Sequence, residues 1–393
     1  MLNTRLKALP GSPFERLRDL LDGVPAPAEQ SIMTIGEPQH PYPDWIASGL
    51  QDNAHLWGKY PPRRGTPEIL SAIKGYLDRR YHLPEGMIET ARHIIPLTGT
   101  REGLFMTVQV ITPPEKNGKR PTVLIPNPFY QTYSGAAIAS GAEPVYVPCT
   151  PATNFMPDPA QLSEDVLQRA SCFFLCSPAN PQGTFASEEL LRRCIALARE
   201  HDFVLLLDEC YAEIYNDLPP LGGLEVCAAL GGSLKNVLVF HSLSKRSSAP
   251  GLRSGFVAGD PDIIAAFGSF RDYSSAVQPM PIMQVSAALW NDDTHVVANR
   301  DLYREKFRIS DRLLGQKPGY YTPAGGFFLW LDVGDGVETT LRLWREQGVR
   351  ALPGAYLTQP SANGNPGAPY IRLALVQGLE ETERALEKVA KVI

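Results

Sequence analysis

The sequence predicts an α/β protein, an open sheet with helices on both faces, joined to a smaller α+β domain. Three observations carry that prediction. Short apolar runs bounded by turn residues alternate with segments of helical period. Several of these runs are apolar on both faces, as central strands of a covered parallel sheet must be. After about Gln278 the strands and helices follow in a different order, which marks a second, smaller unit. At 393 residues the chain is long enough to divide in this way. We expect residues 1–50 to pack with the small domain, 51–280 to form the large domain and 281–393 the small one.

The opening run "MLNTRLKALPGSPFERLRDLL" lacks the continuous apolar core and cleavage site of a secretory signal. Its basic start is followed at once by Glu15, Asp19 and Asp22, which favours a helix of the fold over a transit peptide. The strand candidates are "TVLIP" from Thr122, "EPVYV" from Glu143, "CFFLC" from Cys172, "FVLLL" from Phe203, "NVLVF" from Asn236 and "GFVAG" from Gly255. Between them "SEELLRRCIALAREH" places Leu190, Leu191, Cys194, Ile195 and Ala198 on one helical face, with Ser187 as its cap. A long helical stretch, Ile282 to Leu314, then precedes "GGFFLWLDV", a helix near Thr339 to Gln347, and "APYIRLALV". The 36 prolines concentrate in connections such as "PQHPYPDW" and "ITPPEKNGKRP".

A net charge of −5, without a run of basic residues, argues against nucleic acid or a membrane surface as a partner. No stretch approaches the roughly 18 apolar residues of a spanning helix, so we expect a soluble protein. The six cysteines form no CxxC pair, and Cys172 and Cys176 flank "FFL" as small buried hydrophobes would. Neither a zinc site nor a disulfide framework is expected, and a reducing cytoplasm fits best.

Ligands of open α/β sheets bind beyond the carboxyl ends of the strands, so the residues that follow each run are informative. "CFFLC" is followed by "SPANPQGT", "FVLLL" by "DECYAEIY" and "NVLVF" by "HSLSK", while "PGLRS" precedes "GFVAG". Alone, each has a plain explanation: a capping aspartate, a β-turn, a solvated lysine or arginine. Together, in order, they suit one chemistry. A pyridine aldehyde held on a lysine needs a carboxylate at its ring nitrogen, donors at its ring oxygen and a cradle for its phosphate. Asp208 suits the first, Asn180 and Tyr211 the second. "LTGTREGLF", with Ser242, Ser244 and Arg253 around Lys245, suits the third.

"SLSKRSSAPGLRSG", "SPANPQGT", "DECYAEIY" and "LTGTREGLF" together resemble the class I/II aminotransferases, pyridoxal 5′-phosphate enzymes of fold type I. The likeness runs from "TIGEP" to "YIRLALV", nearly the whole chain. It implies a mostly parallel seven-stranded sheet in the large domain and small-molecule amino acids and 2-oxo acids as substrates. By position, Lys245 would be the Schiff-base lysine and proton shuttle, Asp208 the partner of the pyridine nitrogen, and Asn180 and Tyr211 the donors to the ring oxygen. Tyr130 would stack on the ring, with Phe129 as the alternative one residue away. Thr100 and Arg101 (through backbone groups), Ser242, Ser244 and Arg253 would hold the phosphate. Tyr60 would reach the phosphate of a neighbouring subunit, which implies a homodimer with shared sites. Arg372 would grip the substrate α-carboxylate with its planar fork, and Gly36 would approach it through the backbone. Burial and the cation of Arg253 would keep Lys245 neutral.

"PNPFYQTYSGAAIASGAEPVYV", "FHSLSKRSSAPGLRSGFVAGD" and "VRALPGAYL" further resemble the N-succinyldiaminopimelate aminotransferases of bacterial lysine biosynthesis. That likeness implies glutamate and N-succinyl-2-amino-6-oxopimelate as substrates and extra cations in the pocket, for which Arg63, Arg64 and Arg246 are candidates. The alternatives are an aspartate- or alanine-type aminotransferase and a carbon–sulfur β-lyase. A regulator built on the same fold is disfavoured by the short, weakly basic segment ahead of "TIGEP".

Overall fold

The computed structural model of the chain describes residues 4–274, 277–362 and 364–393. Strand β1 (Ser31–Ile32) lies in the N-terminal segment. The principal sheet is built from β2 (Ile94–Leu97), β3 (Thr122–Asn127), β4 (Glu143–Pro148), β5 (Ala170–Cys176), β6 (Val204–Asp208), β7 (Val237–Ser242) and β8 (Gly255–Gly259). Its order is β2-β8-β7-β6-β5-β3-β4. Strands β3 to β7 run parallel, while β8 is antiparallel to both β2 and β7. The segment between β7 and β8 contains no long crossover helix, so β8 returns beside β7 in the opposite direction. Ser242 therefore pairs with Gly255, and the segment carrying Lys245 and Arg253 is held at one end of the sheet.

The six strand candidates are strands, and the seventh, β2, has a reason for escaping the pattern. Pro96 interrupts its apolar run, and a proline is tolerated because β2 is an edge strand. Alternate residues of the central strands feed two cores: Leu124, Phe173, Leu205 and Val239 on one face, Val123, Cys172, Leu206 and Leu238 on the other. This is why those runs read as continuously apolar. The helix Glu188–Glu200 covers one face, with the Ser187 hydroxyl accepting from the Leu190 N–H at 3.2 Å.

Strands β9 (Phe328–Asp332), β10 (Val349–Arg350), β11 (Leu352–Pro353) and β12 (Tyr370–Ala374) follow. An antiparallel sheet forms in the order β11-β12-β9, and β10 pairs in parallel with β1. Leu17 and Leu21 of the helix Pro13–Leu21 join the same core as Trp330, Leu352 and Tyr370. The helical stretch expected over 282–314 is two helices, Met280–Asn291 and Thr294–Leu314. Asp292 separates them: its carboxylate accepts from the Thr294 N–H at 2.8 Å and meets His295 Nδ1 at 2.8 Å, ending one helix and starting the next. No helix among the described residues is long and apolar enough to cross a membrane.

Candidate active site

A cavity of about 450 Å³ opens where β5, β6 and β7 end, facing β12 across the fold. Gly36, Thr100, Arg101, Tyr130, Asn180, Asp208, Tyr211, Ser242, Ser244, Lys245, Arg253 and Arg372 all line it, as does Phe129. Residues up to 336 positions apart thus meet in one place, from Gly36 to Arg372. Tyr60 does not join them; its side chain is fully exposed.

Lys245 sits in the short helix Leu243–Arg246 that follows β7 directly, capped by the Ser242 hydroxyl. Its amine donates to the Gly36 carbonyl at 2.5 Å and lies 5.2 Å from the centre of the Phe327 ring. Burial pushes its pKa down to about 8; Cys210, Glu37 and Asp208 oppose the shift, and Arg372 adds to it. The expectation that Arg253 is the cation favouring neutral Lys245 is therefore corrected. Arg372, not Arg253, is the cation that acts on it, while the Arg253 guanidinium donates to the carbonyls of Pro250 at 3.0 Å and Thr98 at 3.2 Å.

Asp208, the last residue of β6, is buried at 6% exposure. Its carboxylate accepts from the Tyr133 hydroxyl at 2.6 Å and the Cys210 N–H at 3.3 Å. Burial, with Asp208 beside it, raises the Tyr133 pKa, so the phenol remains a donor. The Tyr133 ring is stacked on Phe174 at 4.3 Å, which fixes the hydroxyl's aim. Sequence reasoning overlooked Tyr133. The signal was present, since it falls three residues after Tyr130 in "NPFYQTY" and near it on one helical face. Tyr211 is buried edge-on to Phe327 and Phe328, and burial raises its pKa as well.

The opposite wall is a cradle for an anion. Gly99, at φ +93°, precedes the helix Thr100–Ile111, whose first N–H groups have no intrahelical acceptor. A Cβ at Gly99 would come within 2.1 Å of Arg253 Nη2, so the close approach of loop and guanidinium requires glycine. Ser242 and Ser244 line the same cavity. Tyr130 is half-buried, and its hydroxyl accepts from Arg101 Nε at 2.7 Å. Phe129 is nearly buried and packs on Tyr146 at 5.1 Å. This set fits pyridoxal phosphate: helix N–H groups, hydroxyls and a guanidinium for its phosphate, a buried carboxylate for its ring nitrogen, and an amine for its aldehyde.

At the far end Arg372, in the middle of β12, donates to the Thr34 carbonyl at 2.6 Å and to Asn180 Oδ1 at 3.2 Å. Its guanidinium lies 4.3 Å over the Phe328 ring. Burial lowers its pKa to about 10, which leaves it charged at neutral pH. Its Nε is buried without a hydrogen-bond partner. A Cβ at Gly36 would meet Phe328 at 2.7 Å, so that glycine keeps the segment against the wall.

Arg63, Arg64 and Arg246 do not line the cavity. Arg63 pairs with Asp272 at 2.8 Å, and Arg64 donates to the Ala91 carbonyl. Arg246 is 2% exposed, donates to Leu289 O and Asp293, and lies over Tyr76 and Trp290. It anchors the lysine segment to the end of the helix Met280–Asn291.

Residues 30–389 match the family described as aminotransferase class I and II. The LL-diaminopimelate aminotransferase of Syntrophobacter fumaroxidans is 30% identical over 401 residues, 99% of this chain and 98% of that protein. The crystal structure of an aminotransferase from Neisseria meningitidis superposes with a TM-score of 0.95 at 38% identity, covering 99% of both chains. A probable N-succinyldiaminopimelate aminotransferase from Thermus thermophilus shares the fold, with a TM-score of 0.84 at 24% identity over 97% of this chain and 100% of that one. Likeness over this length, on the same architecture, shows that the chain belongs to the class I and II aminotransferases, pyridoxal-phosphate enzymes of fold type I.

Proposed function

We propose that this aminotransferase exchanges an amino group between glutamate and N-succinyl-2-amino-6-oxopimelate in the cytoplasm, on the route to diaminopimelate and lysine. The observation that carries the reading is the charge of the cavity wall. Lys245, Arg101, Arg253 and Arg372 face it, and Asp208 is the sole acid among the described lining residues. Glu37, which acts on Lys245 through its charge, is exposed and outside the lining. With Arg253 assigned to the phosphate and Arg372 to the α-carboxylate, Arg101, whose Nε donates to Tyr130, has its remaining N–H groups for a distal carboxylate. With Asp208, oriented by Tyr133, assigned to the ring nitrogen, no acid is left in the lining for a distal ammonium. An acylated diaminopimelate, whose distal nitrogen carries no charge, suits this wall better than the free diamine.

Bound pyridoxal phosphate supplies an electron-withdrawing ring that stabilises negative charge at the substrate α-carbon. Asp208, oriented by Tyr133, keeps a proton on the ring nitrogen. Asn180 and Tyr211 donate to the ring oxygen, and Tyr130 covers the ring face. Lys245, neutral in a useful fraction near pH 8, takes the α-proton at Nζ and returns it later in the same half-reaction. Arg372 and Gly36 orient the α-carboxylate. Tyr60, fully exposed, serves the phosphate of a second copy, so that two chains share their sites in a homodimer. Thr100, Arg101 (through its backbone), Ser242, Ser244 and Arg253 hold the phosphate.

Arg101→Gln tests the substrate reading. It should lower single-turnover conversion of N-succinyldiaminopimelate about tenfold, the worth of one charged hydrogen bond, and leave alanine unchanged. An equal loss on both would show that Arg101 serves the cofactor alone.

A further inference from the structure

Lys306 is wholly buried in the helix Thr294–Leu314, and the chemistry described above makes no use of it. Its amine meets His40 Nε2 at 2.6 Å and donates to the Leu375 carbonyl at 2.8 Å, just past the end of β12. The Asn299 amide nitrogen faces the Lys245 carbonyl, so its Oδ1 accepts from the His40 Nδ1–H at 2.8 Å and His40 Nε2 is left to accept from Lys306. The Asn299 amide then donates to the backbone carbonyl of Lys245 at 3.2 Å. The Ser248 hydroxyl closes the same knot by donating to the His40 carbonyl at 2.7 Å. A buried, directed chain of hydrogen bonds thus runs from the strand carrying Arg372 to the backbone of Lys245.

The segment Gly36–His40 grips the lysine from both ends, with the Gly36 carbonyl at its amine and His40, through Asn299, at its backbone. The same segment is tied to the β12 end by the Gln39 N–H, which donates to the Val376 carbonyl. Facing Lys306 are His40 from the N-terminal segment and Tyr303 from its own helix, whose ring centre is 5.0 Å away. Burial lowers Lys306 to about 7, and burial with the Lys306 charge lowers His40 to about 4, so the imidazole stays neutral with this direction of bonds.

We propose that Lys306, His40 and Asn299 are positioning residues that fix the backbone of Lys245 and join it to the strand of Arg372, so that the two ends of the site are set together. The proposal rests on the reading of Lys245 as the cofactor-bearing lysine.

The test compares Lys306→Met, Asn299→Ala and their double variant in the cofactor-loaded enzyme with N-succinyldiaminopimelate or, if that does not react, glutamate. Each single change should slow the maximal single-turnover rate about tenfold, as a small misplacement of a reacting group does. The half-saturating donor concentration should change less than about twofold. The pH midpoint of the visible cofactor absorbance should move by about half a unit, in the same direction for both. The double variant should be no slower than the slower single one. Wild-type midpoint and rate in either folded variant would overturn the proposal, as would a loss confined to half-saturation. If Lys306→Met does not fold, Asn299→Ala decides by the same midpoint. Persistence of the lysine-linked absorbance in Lys245→Ala is a separate result that would overturn the underlying lysine assignment as well.

Discussion

The two ends of the cavity are built differently. The anion end is assembled from two short stretches: Gly99 and Thr100 at one helix start, and Ser242 to Arg253 in the single connection between β7 and β8. The carboxylate end gathers Thr34, Gly36, Asn180, Phe328 and Arg372 from four distant segments. A local cradle can be damaged without disturbing the fold around it. A gathered one depends on how the N-terminal segment and the β11-β12-β9 sheet sit against the principal sheet. Changes at the anion end should therefore act on cofactor retention, and changes at the carboxylate end on substrate.

The largest effect is expected between the ends. Lys245→Ala should abolish the visible absorbance of lysine-linked cofactor and lower transamination at least about a thousandfold, the range of a lost general base. Circular dichroism should show the fold intact. At the carboxylate end Arg372→Lys replaces a planar fork by a point charge, so kcat/KM should fall about 10- to 100-fold, mostly through KM. At the anion end Gly99→Ala should raise the cofactor dissociation constant about tenfold, because a side chain is strained at φ +93° and meets Arg253. A loss of substrate affinity instead would erase the distinction between the two ends.

The smallest effect is electrostatic, and it crosses from one end to the other. Lys245 is lowered from an ordinary lysine value to about 8, so its neutral form gains as pH rises through 8. The rate of cofactor uptake by the cofactor-free protein should rise with pH and level off above that point. Arg372→Gln removes a cation that favours the neutral amine, so the midpoint should move upward. Arg253→Gln should leave it in place. The reverse pattern would restore the expectation made from sequence neighbourhood.

That contrast also explains what the sequence could reveal. The anion end was legible because most of it falls in one short stretch, Ser242 to Arg253, between two apolar runs. The central strands were legible because burial on both faces leaves no polar alternation. Edge strand β2 was hidden by Pro96, and the break at Asp292 by local side-chain hydrogen bonds within a helical pattern. Tyr133 was hidden by its bland context, and its role depends on Phe174 and Asp208, which lie far from it in sequence. Arg246 looked like a pocket cation beside Lys245, yet the short helix turns it to the opposite side, onto Trp290 and Asp293. Charge and spacing cannot tell those two directions apart; only packing does.

The most direct test of the proposed reaction is the single-turnover conversion of the cofactor-loaded enzyme by a panel of amino donors: N-succinyldiaminopimelate, free diaminopimelate, glutamate, aspartate and alanine. The cationic wall predicts that N-succinyldiaminopimelate and glutamate react best, with the acylated diamine at least about tenfold ahead of the free one. If N-succinyldiaminopimelate reacted no better than aspartate or alanine, the substrate assignment would be contradicted.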